Sequence, residues 1–305
     1  MLAQGDDAID ALLEPAPAVH GRWVIPGNNQ SKITIRVNER PVEVNRNTWL
    51  HGLRDMTHPA ADIIIRNGFP AGGDGPLADG DEVVFIERGR MPDADEMEAQ
   101  MAARHGPGIL QPLKGARVGI AGCGGLGSAV AVALARLGVG RLLLVDYDVV
   151  EPSNLNRQQF FVDQIGLPKV EALSDNLVRM NPFVTVETRE LRLTPENLVD
   201  VFRGCSVLAE CFDDPGMKRE MTVAVRREMP GTPLVTVSGI AGHGPSQAIG
   251  VRKVLEDVYL VGDGVSAAGP GRGLLAPRVA VAAGHQANLI LRLLLGLDPC
   301  GDGEV

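Results

Sequence analysis

Positive charge is scarce in this chain. Its 305 residues carry 29 Lys and Arg against 38 Asp and Glu, a net charge of −9, which argues against a general nucleic-acid binder and is compatible with solubility. Cysteine is sparse as well. Cys123, Cys205, Cys211 and Cys300 form neither a CxxC pair nor a disulfide-like density, so a reducing cytoplasm is the expected compartment. With no paired cysteines and no two histidines at metal-ligand spacing, no zinc site is expected. No apolar run reaches the length that crosses a bilayer. The most apolar stretch, Val279 to Leu295, is interrupted by Gly284, His285, Gln286, Asn288 and Arg292, as a core helix with one polar edge would be. The N-terminus lacks a basic segment followed by a hydrophobic one, so no secretory signal is expected there. The chain is 45% hydrophobic, ordinary for a globular protein, and long enough for two domains with sizeable cores.

The chemistry concentrates between Arg117 and Gln158. A short apolar run, Val118-Gly119-Ile120-Ala121, breaks into Gly122-Cys123-Gly124-Gly125-Leu126-Gly127. The helix-like Ser128 to Leu137 follows, and a second apolar run, Leu142 to Val145, ends at Asp146. This reads as strand, glycine turn, helix, strand. The apolar runs are continuous rather than alternating, as in parallel strands buried on both faces. Gly122 suits the tight turn, Gly124 the close approach of phosphate, and Gly127 helix-on-strand packing. Gly125 stands at the helix N-terminus, whose unpaired amides face an anion. Asp146 falls near the spacing, roughly 20 residues on, at which an acidic residue takes ribose hydroxyls.

Glycine turns of this kind serve many nucleotides, and the residues beyond Asp146 discriminate among them. Asn154, Asn156 and Arg157 lie a short loop further on, and Gly166-Leu167-Pro168-Lys169 opens the next helix. A lysine in a first helical turn is mildly unfavourable, so Lys169 calls for an anionic partner. A nicotinamide enzyme needs little positive charge here, whereas a triphosphate losing pyrophosphate needs cations at the leaving group. Ser206 to Phe212 reads as another strand running into Asp213-Asp214. Asp146, Arg157 and Asp213 then share the carboxyl ends of the strands, where open α/β sheets bind ligands.

The run GCGGLG, then VDYDVVEPSNLNRQ, GLPKVEA and CFDD, resembles the ThiF/MoeB/HesA family of adenylating enzymes, which are related to ubiquitin-activating enzymes. The wording EPSNLNRQQFF and AGPGRGLLAPRVAVAAGHQANLILRLLLG resembles the short ThiF subgroup. The likeness covers about residues 112–297. It implies a Rossmann-like, mainly parallel sheet with helices on both faces over residues 112–305, and ATP-dependent adenylation of the C-terminal glycine of a sulfur carrier protein. By position it implies Asp146 at the ribose, Arg157 and Lys169 at the phosphates with Asn154 assisting, and Asp213 holding Mg²⁺. Some relatives insert an arginine from a helix upstream of the glycine loop, often across a dimer interface, and Arg104 is the candidate here. Where relatives carry a persulfide or thioester cysteine, between Ser238 and Ala276, this chain has none, so covalent capture is not expected.

The front of the chain has its own pattern. Residues 1–30 are expected to form a flexible tail. Ile33 to Val37 alternates like a half-buried strand, Asn38-Glu39-Arg40-Pro41 turns, and Val42-Glu43-Val44 returns. A short helix then runs through Met56, and Ile63-Ile64-Ile65 and Val83 to Ile86 are further strands. With LADGDEVVFIERG, residues 31–89 resemble a ThiS-like ubiquitin-fold (β-grasp) carrier. A working carrier ends in Gly-Gly with a free carboxylate, but this chain passes from Gly89 into Arg90 and onward. Three uses stay open for the segment: a docking or structural module, a carrier released by cleavage, or a mimic that regulates the site in cis. Residues 90–111 are expected to be a linker helix, acidic early and basic late.

A carboxylate is already ionised at neutral pH, so its attack on the α-phosphate needs no general base. The work is to align two repelling anions and stabilise departing pyrophosphate. The reading is an adenylyltransferase acting on a ThiS-like sulfur carrier in thiamine biosynthesis, soluble, free of nucleic acid and homodimeric, the last from family likeness and the apolar helix at Val130 to Leu137. For Arg157 the structural alternative is a pairing with Asp148 or Glu151. Asp214 could replace Asp213 or simply cap the next helix. Cys123, Cys205 and Cys211 read as packing. The rival functions are a nicotinamide dehydrogenase, a nucleotide-sensing module regulated by its fused domain, and adenylation of a small-molecule or RNA-linked carboxylate.

Overall fold

The structure, a computed structural model, describes residues 23–24, 32–106 and 108–301. The chain forms two compact units that divide between His105 and Gly106. The first contains β1 (Trp23–Val24), β2 (Lys32–Val37), β3 (Arg40–Asn45), α1 (Leu50–Thr57), β4 (Ile63–Arg66), β5 (Phe69–Pro70), β6 (Glu82–Ile86) and α2 (Ala94–His105). Its sheet runs β1-β3-β2-β6-β4-β5, with β2 parallel to β6. Alternation in β2 and β3 buries Ile33, Ile35, Val37, Val42 and Val44 against Leu50 and Leu53 of α1, the half-buried pattern of a sheet covered on one face. The β-grasp expectation is met. Most of the expected tail lies outside the described residues, but Trp23–Val24 forms a strand parallel to β3.

The turn between β2 and β3 is tighter than its sequence suggests. Arg40 and Pro41 already pair with Val37 and Arg36, leaving Asn38 and Glu39 as the two-residue turn, both at positive φ (46° and 68°). Such a turn matches the twist of the flanking strands. Asn38 is buried, accepts from the Phe85 amide at 2.9 Å and donates to Glu96 Oε1 at 3.0 Å. Glu96 belongs to α2, and Arg90 adds an ion pair to it at 3.3 Å. The helix expected within 90–111 forms over Ala94–His105; what is corrected is its place, because α2 is part of the first unit, where a buried side-chain amide binds it.

The second unit follows as α3 (Leu110–Gly115), β7 (Arg117–Ala121), α4 (Gly125–Arg136), β8 (Arg141–Asp146), α5 (Lys169–Met180), β9 (Thr185–Glu190), α6 (Leu198–Phe202), β10 (Val207–Glu210), α7 (Pro215–Glu228), β11 (Leu234–Val237), β12 (Gly250–Leu255), β13 (Val258–Gly262) and α8 (Ala276–Leu294). The sheet order is β12-β13-β11-β10-β7-β8-β9. Only β12 is antiparallel; β13 pairs parallel with β11 and carries the hairpin partner outside it. Helices α4, α5 and α8 cover one face, while α6 and α7 cover the other.

Helix α4 buries Leu126, Val130, Ala131, Leu134 and Ala135 within this unit, against α5 and α8. Each fully buried valine or leucine contributes about 1.5–3 kcal/mol. The apolarity of α4 is thus accounted for inside one chain and gives no argument for a homodimer. A second correction concerns α8. Gln286 lies on no polar edge but in the core, donating to the carbonyls of Glu210 (3.1 Å) and Val235 (2.9 Å). It ties α8 to the end of β10 and to β11.

Two features set the mouth of the sheet. A Cβ on Gly127 would lie 1.8 Å from the Gly122 carbonyl oxygen, so α4 can approach the turn only with glycine there. Arg278, buried at the start of α8, donates to the carbonyls of Gly244 (2.8 Å) and Pro245 (3.0 Å) and to Asp263 Oδ2 (2.6 Å). Burial pushes the Asp263 carboxyl up, but the Ser266 hydroxyl, the Ser266 and Val265 amides and Arg278 outweigh it and hold the group at about 2.

Gly127→Ala is expected to lower the unfolding free energy of the second unit by about 3 kcal/mol, read by urea unfolding. Because the folded Asp263 pKa lies below its unfolded value, its contribution is complete above about pH 4 and is lost as pH falls toward 2. The stability difference between wild type and Asp263→Asn, followed by acid titration, should therefore shrink over that interval. A constant difference would show that the charge of Asp263 is not what pins the two loops.

Candidate active site

A cavity of about 650 Å³ opens at the carboxyl ends of β7, β8, β10 and β11. Its floor is the glycine turn. Gly122, at φ +94°, turns the chain out of β7 and donates to the Val145 carbonyl at 2.8 Å. Asp146 ends the neighbouring strand and accepts from the Cys123 amide at 2.6 Å and the Asp148 amide at 2.9 Å. Its carboxylate thus braces the turn and also lines the cavity. A carboxylate has about four acceptor sites, so two backbone donors leave capacity for a ligand hydroxyl. Arg192 lies over the Tyr147 ring, 5.4 Å from its centroid, and both also line the cavity.

The two expected phosphate cations come to the same cavity in different electrostatic states. Lys169 is buried and pairs with Asp148 at 2.8 Å, the anionic partner its helix position called for. Arg157 makes no ion pair among the described residues, and neither Asp148 nor Glu151 reaches it. Its guanidinium donates to the Asn156 side chain (2.8 Å) and the Ser153 carbonyl (3.3 Å). Its aliphatic stem lies across Gly125, whose added Cβ would meet Arg157 Cγ at 3.4 Å. The arginine is therefore a cation with neutral partners, seated on the first turn of α4.

Asn154 has a visible structural task. Its Oδ1 accepts from the Glu151 amide at 3.1 Å, and its carbonyl accepts from Arg157 and Gln158 at 3.1 and 2.9 Å. It shapes the loop that presents Arg157 while lining the cavity itself. Asp214 caps α7 by accepting from the Met217 amide at 2.8 Å. That leaves Asp213, which lines the cavity, is exposed, and makes no hydrogen bond or ion pair among the described residues. Among those residues no group of three or more His, Cys, Asp or Glu could hold a metal ion. The donor set suits Mg²⁺, which is commonly held by one or two carboxylates with substrate phosphates and water.

The remaining candidates belong to the first unit or are inert. Arg104 sits on α2 in the first unit, paired with Glu39 at 3.6 Å. Burial, reinforced by Asp146, holds the Cys123 thiol well above the ordinary range, and burial does the same to Cys211. Both are packing residues rather than nucleophiles. Sequence reasoning passed over Lys218, which lines the cavity, and the fully buried Glu210 that it binds at 2.9 Å. The available signal was a glutamate closing an otherwise apolar strand, one helical turn and a short loop ahead of a lysine.

Residues 97–303 match the ThiF family model, and residues 33–89 match one described as ThiS-like ubiquitin. The molybdopterin-synthase adenylyltransferase of Salmonella typhimurium is 31% identical over 201 residues, 64% of this chain and 79% of its own length. The adenylyltransferase and sulfurtransferase UBA4 of Yarrowia lipolytica is 28% identical over 215 residues, 66% of this chain and 54% of its own; this chain thus spans about half of that relative. Among solved structures, the tRNA N6-threonylcarbamoyladenosine dehydratase TcdA of E. coli, in complex with AMP, superposes with a TM-score of 0.61 at 24% identity, covering 68% of this chain and 98% of that one. At that identity the likeness is one of fold. No helix among the described residues is long and apolar enough to cross a membrane. With the family match extending over more than half of its length, the chain belongs to the ThiF family and carries a ThiS-like ubiquitin unit in front.

Proposed function

We propose that the second unit is an adenylyltransferase that uses ATP with Mg²⁺ to activate the C-terminal glycine carboxylate of a ThiS-like sulfur carrier, in thiamine biosynthesis. The observation that carries this reading is Arg157, a cation at the glycine turn without a carboxylate partner among the described residues. The adenylyltransferase relatives and the AMP-bound fold neighbour support it. A nicotinamide cofactor keeps its pyrophosphate intact and needs little positive charge here, less than a departing pyrophosphate demands of Arg157.

In the proposed reaction a carboxylate oxygen of the carrier attacks the α-phosphorus. The bond from that phosphorus to the bridging oxygen breaks, and pyrophosphate leaves with the electron pair. Asp146 would hold the ribose, and Arg157 with Lys169 would stabilise the charge gathering on pyrophosphate. Mg²⁺, when bound at Asp213, would neutralise phosphate charge. Asn154 acts by shaping the Arg157 loop. Arg104 is proposed as a further phosphate cation, delivered by a second copy in a homodimer. The carrier is supplied by a separate chain in a reducing cytoplasm, because Gly89 continues into Arg90 and offers no free carboxylate. Of the three uses open to the fused unit, a docking or structural module fits best, since α2 beyond Gly89 is bound into that unit through Glu96 and Asn38.

ATP–pyrophosphate exchange, run with candidate carriers ending in Gly-Gly, tests the proposal. Wild type is expected to exchange, and Arg157→Ala and Asp213→Ala to fall about 10²–10³-fold, the effect of removing a group that stabilises transition-state charge. Near-normal exchange in Arg157→Ala would remove its phosphate role. Tight NAD(H) binding with no use of ATP would replace the proposal altogether.

A further inference from the structure

Behind Asp213 lies a buried polar cluster that the proposed chemistry does not use. Glu210 ends β10 in the middle of the sheet and is fully buried. Three elements aim donors at its carboxylate. The Phe212 amide reaches Oε1 at 2.7 Å, the Lys218 ammonium of α7 spans both oxygens at 2.9 and 3.1 Å, and the Thr236 hydroxyl of β11 makes a short bond to Oε2. Buried ion pairs are weak sources of stability, since apolar residues of similar volume often serve a core as well or better. What this pair does have is geometry. It binds the peptide one residue before Asp213 and the helix that begins just after Asp214.

The turn from Cys211 to Asp214 is held at every point but one. The Cys211 amide donates to the Ala121 carbonyl at 2.9 Å, continuing the sheet. Phe212 is bound by Glu210, and Asp214 by its cap on Met217. Gln286 fixes the Glu210 carbonyl from behind. Asp213 alone has no partner among the described residues and lines the cavity. A carboxylate is left free on a turn whose neighbours are all restrained.

We propose that Glu210 and Lys218 form a positioning pair that holds the Asp213 carboxylate in the place where it takes a divalent cation. This rests on the reading of Asp213 as the metal carboxylate. Phe212 and the first turn of α7 are bound to one carboxylate, so the turn between them cannot shift without breaking charge-assisted bonds. Loss of charge on either side should loosen the turn and weaken the metal, without changing how the nucleotide sits on the glycine turn.

The test uses the full chain with Mn²⁺ as the probe, titrated by electron paramagnetic resonance in the presence of ATP, beside metal-free ATP binding and thermal melting. Glu210→Gln and Lys218→Gln are each expected to weaken Mn²⁺ about tenfold, and Glu210→Gln, at a residue that does not line the cavity, to leave metal-free ATP affinity unchanged. The double variant, whose two amides can pair with each other, should recover part of the loss. Thr236→Val removes one donor while keeping shape, and serves as the milder arm if a charge variant fails to fold; it should give a smaller shift in the same direction. Lower melting temperatures with unaltered Mn²⁺ affinity would overturn the proposal and leave the pair purely structural. Wild type that binds no Mn²⁺ with ATP would overturn both this and the reading of Asp213. Wild type that binds Mn²⁺ but exchanges no pyrophosphate with any carrier would sink the carrier reading while the variants still decide this one.

Discussion

The bond from the Cys123 amide to the Asp146 carboxylate, 2.6 Å long, joins the two loops on which the candidate site depends. It ties the glycine turn after β7 to the end of β8, and the second oxygen of Asp146 holds the Asp148 amide. Asp148 in turn pairs with Lys169 at the start of α5. One carboxylate therefore couples the turn, the following loop and the next helix. Gly127 makes the arrangement sterically feasible, because any side chain there would collide with the Gly122 carbonyl.

Around that frame, charge is allotted unequally. Lys169 and Lys218 are each matched with a carboxylate, whereas Arg157 has only neutral partners among the described residues. A guanidinium stays charged and offers a planar fork of donors suited to phosphate. Of these three cations it is the one whose field is least compensated locally. Asp213, which lines the same cavity, is a carboxylate with no hydrogen bond or ion pair among the described residues. The cavity thus holds Arg157 with neutral partners and Asp213 with none among the described residues, an arrangement fitted to bringing a metal ion and a polyphosphate together.

The first unit shows how a carrier-like fold is altered without losing its core. Alternating residues in β2 and β3 bury the same face that any β-grasp sheet must bury. The change lies beyond β6. Where a carrier would end, the chain turns at Gly89, pairs Arg88 with Asp62 at 3.0 Å, and continues into α2. Glu96 then reaches the buried Asn38. The segment that a carrier extends to its enzyme is here folded against its own sheet.

Much of the architecture was legible in the chain itself. Continuous apolar runs marked β7, β8 and β10 as doubly buried strands, and alternation marked β2 and β3, because those patterns follow from which faces a strand must hide. The glycine spacing located the turn, and Lys169 announced an anionic partner through its unfavourable place in a helix. Side-chain pairing was not legible, because it depends on residues distant in the chain. Only the tertiary structure decided that Asp214 caps a helix and Asp213 does not, that Arg157 escapes Asp148 and Glu151, and that Gln286 belongs to the core. It also placed α2 with the first unit, where Asn38 binds Glu96 across 58 positions of chain. Periodicity reports which face is buried. Which polar groups meet is settled by three-dimensional closure, since each buried donor must find whatever acceptor the packed elements bring within reach.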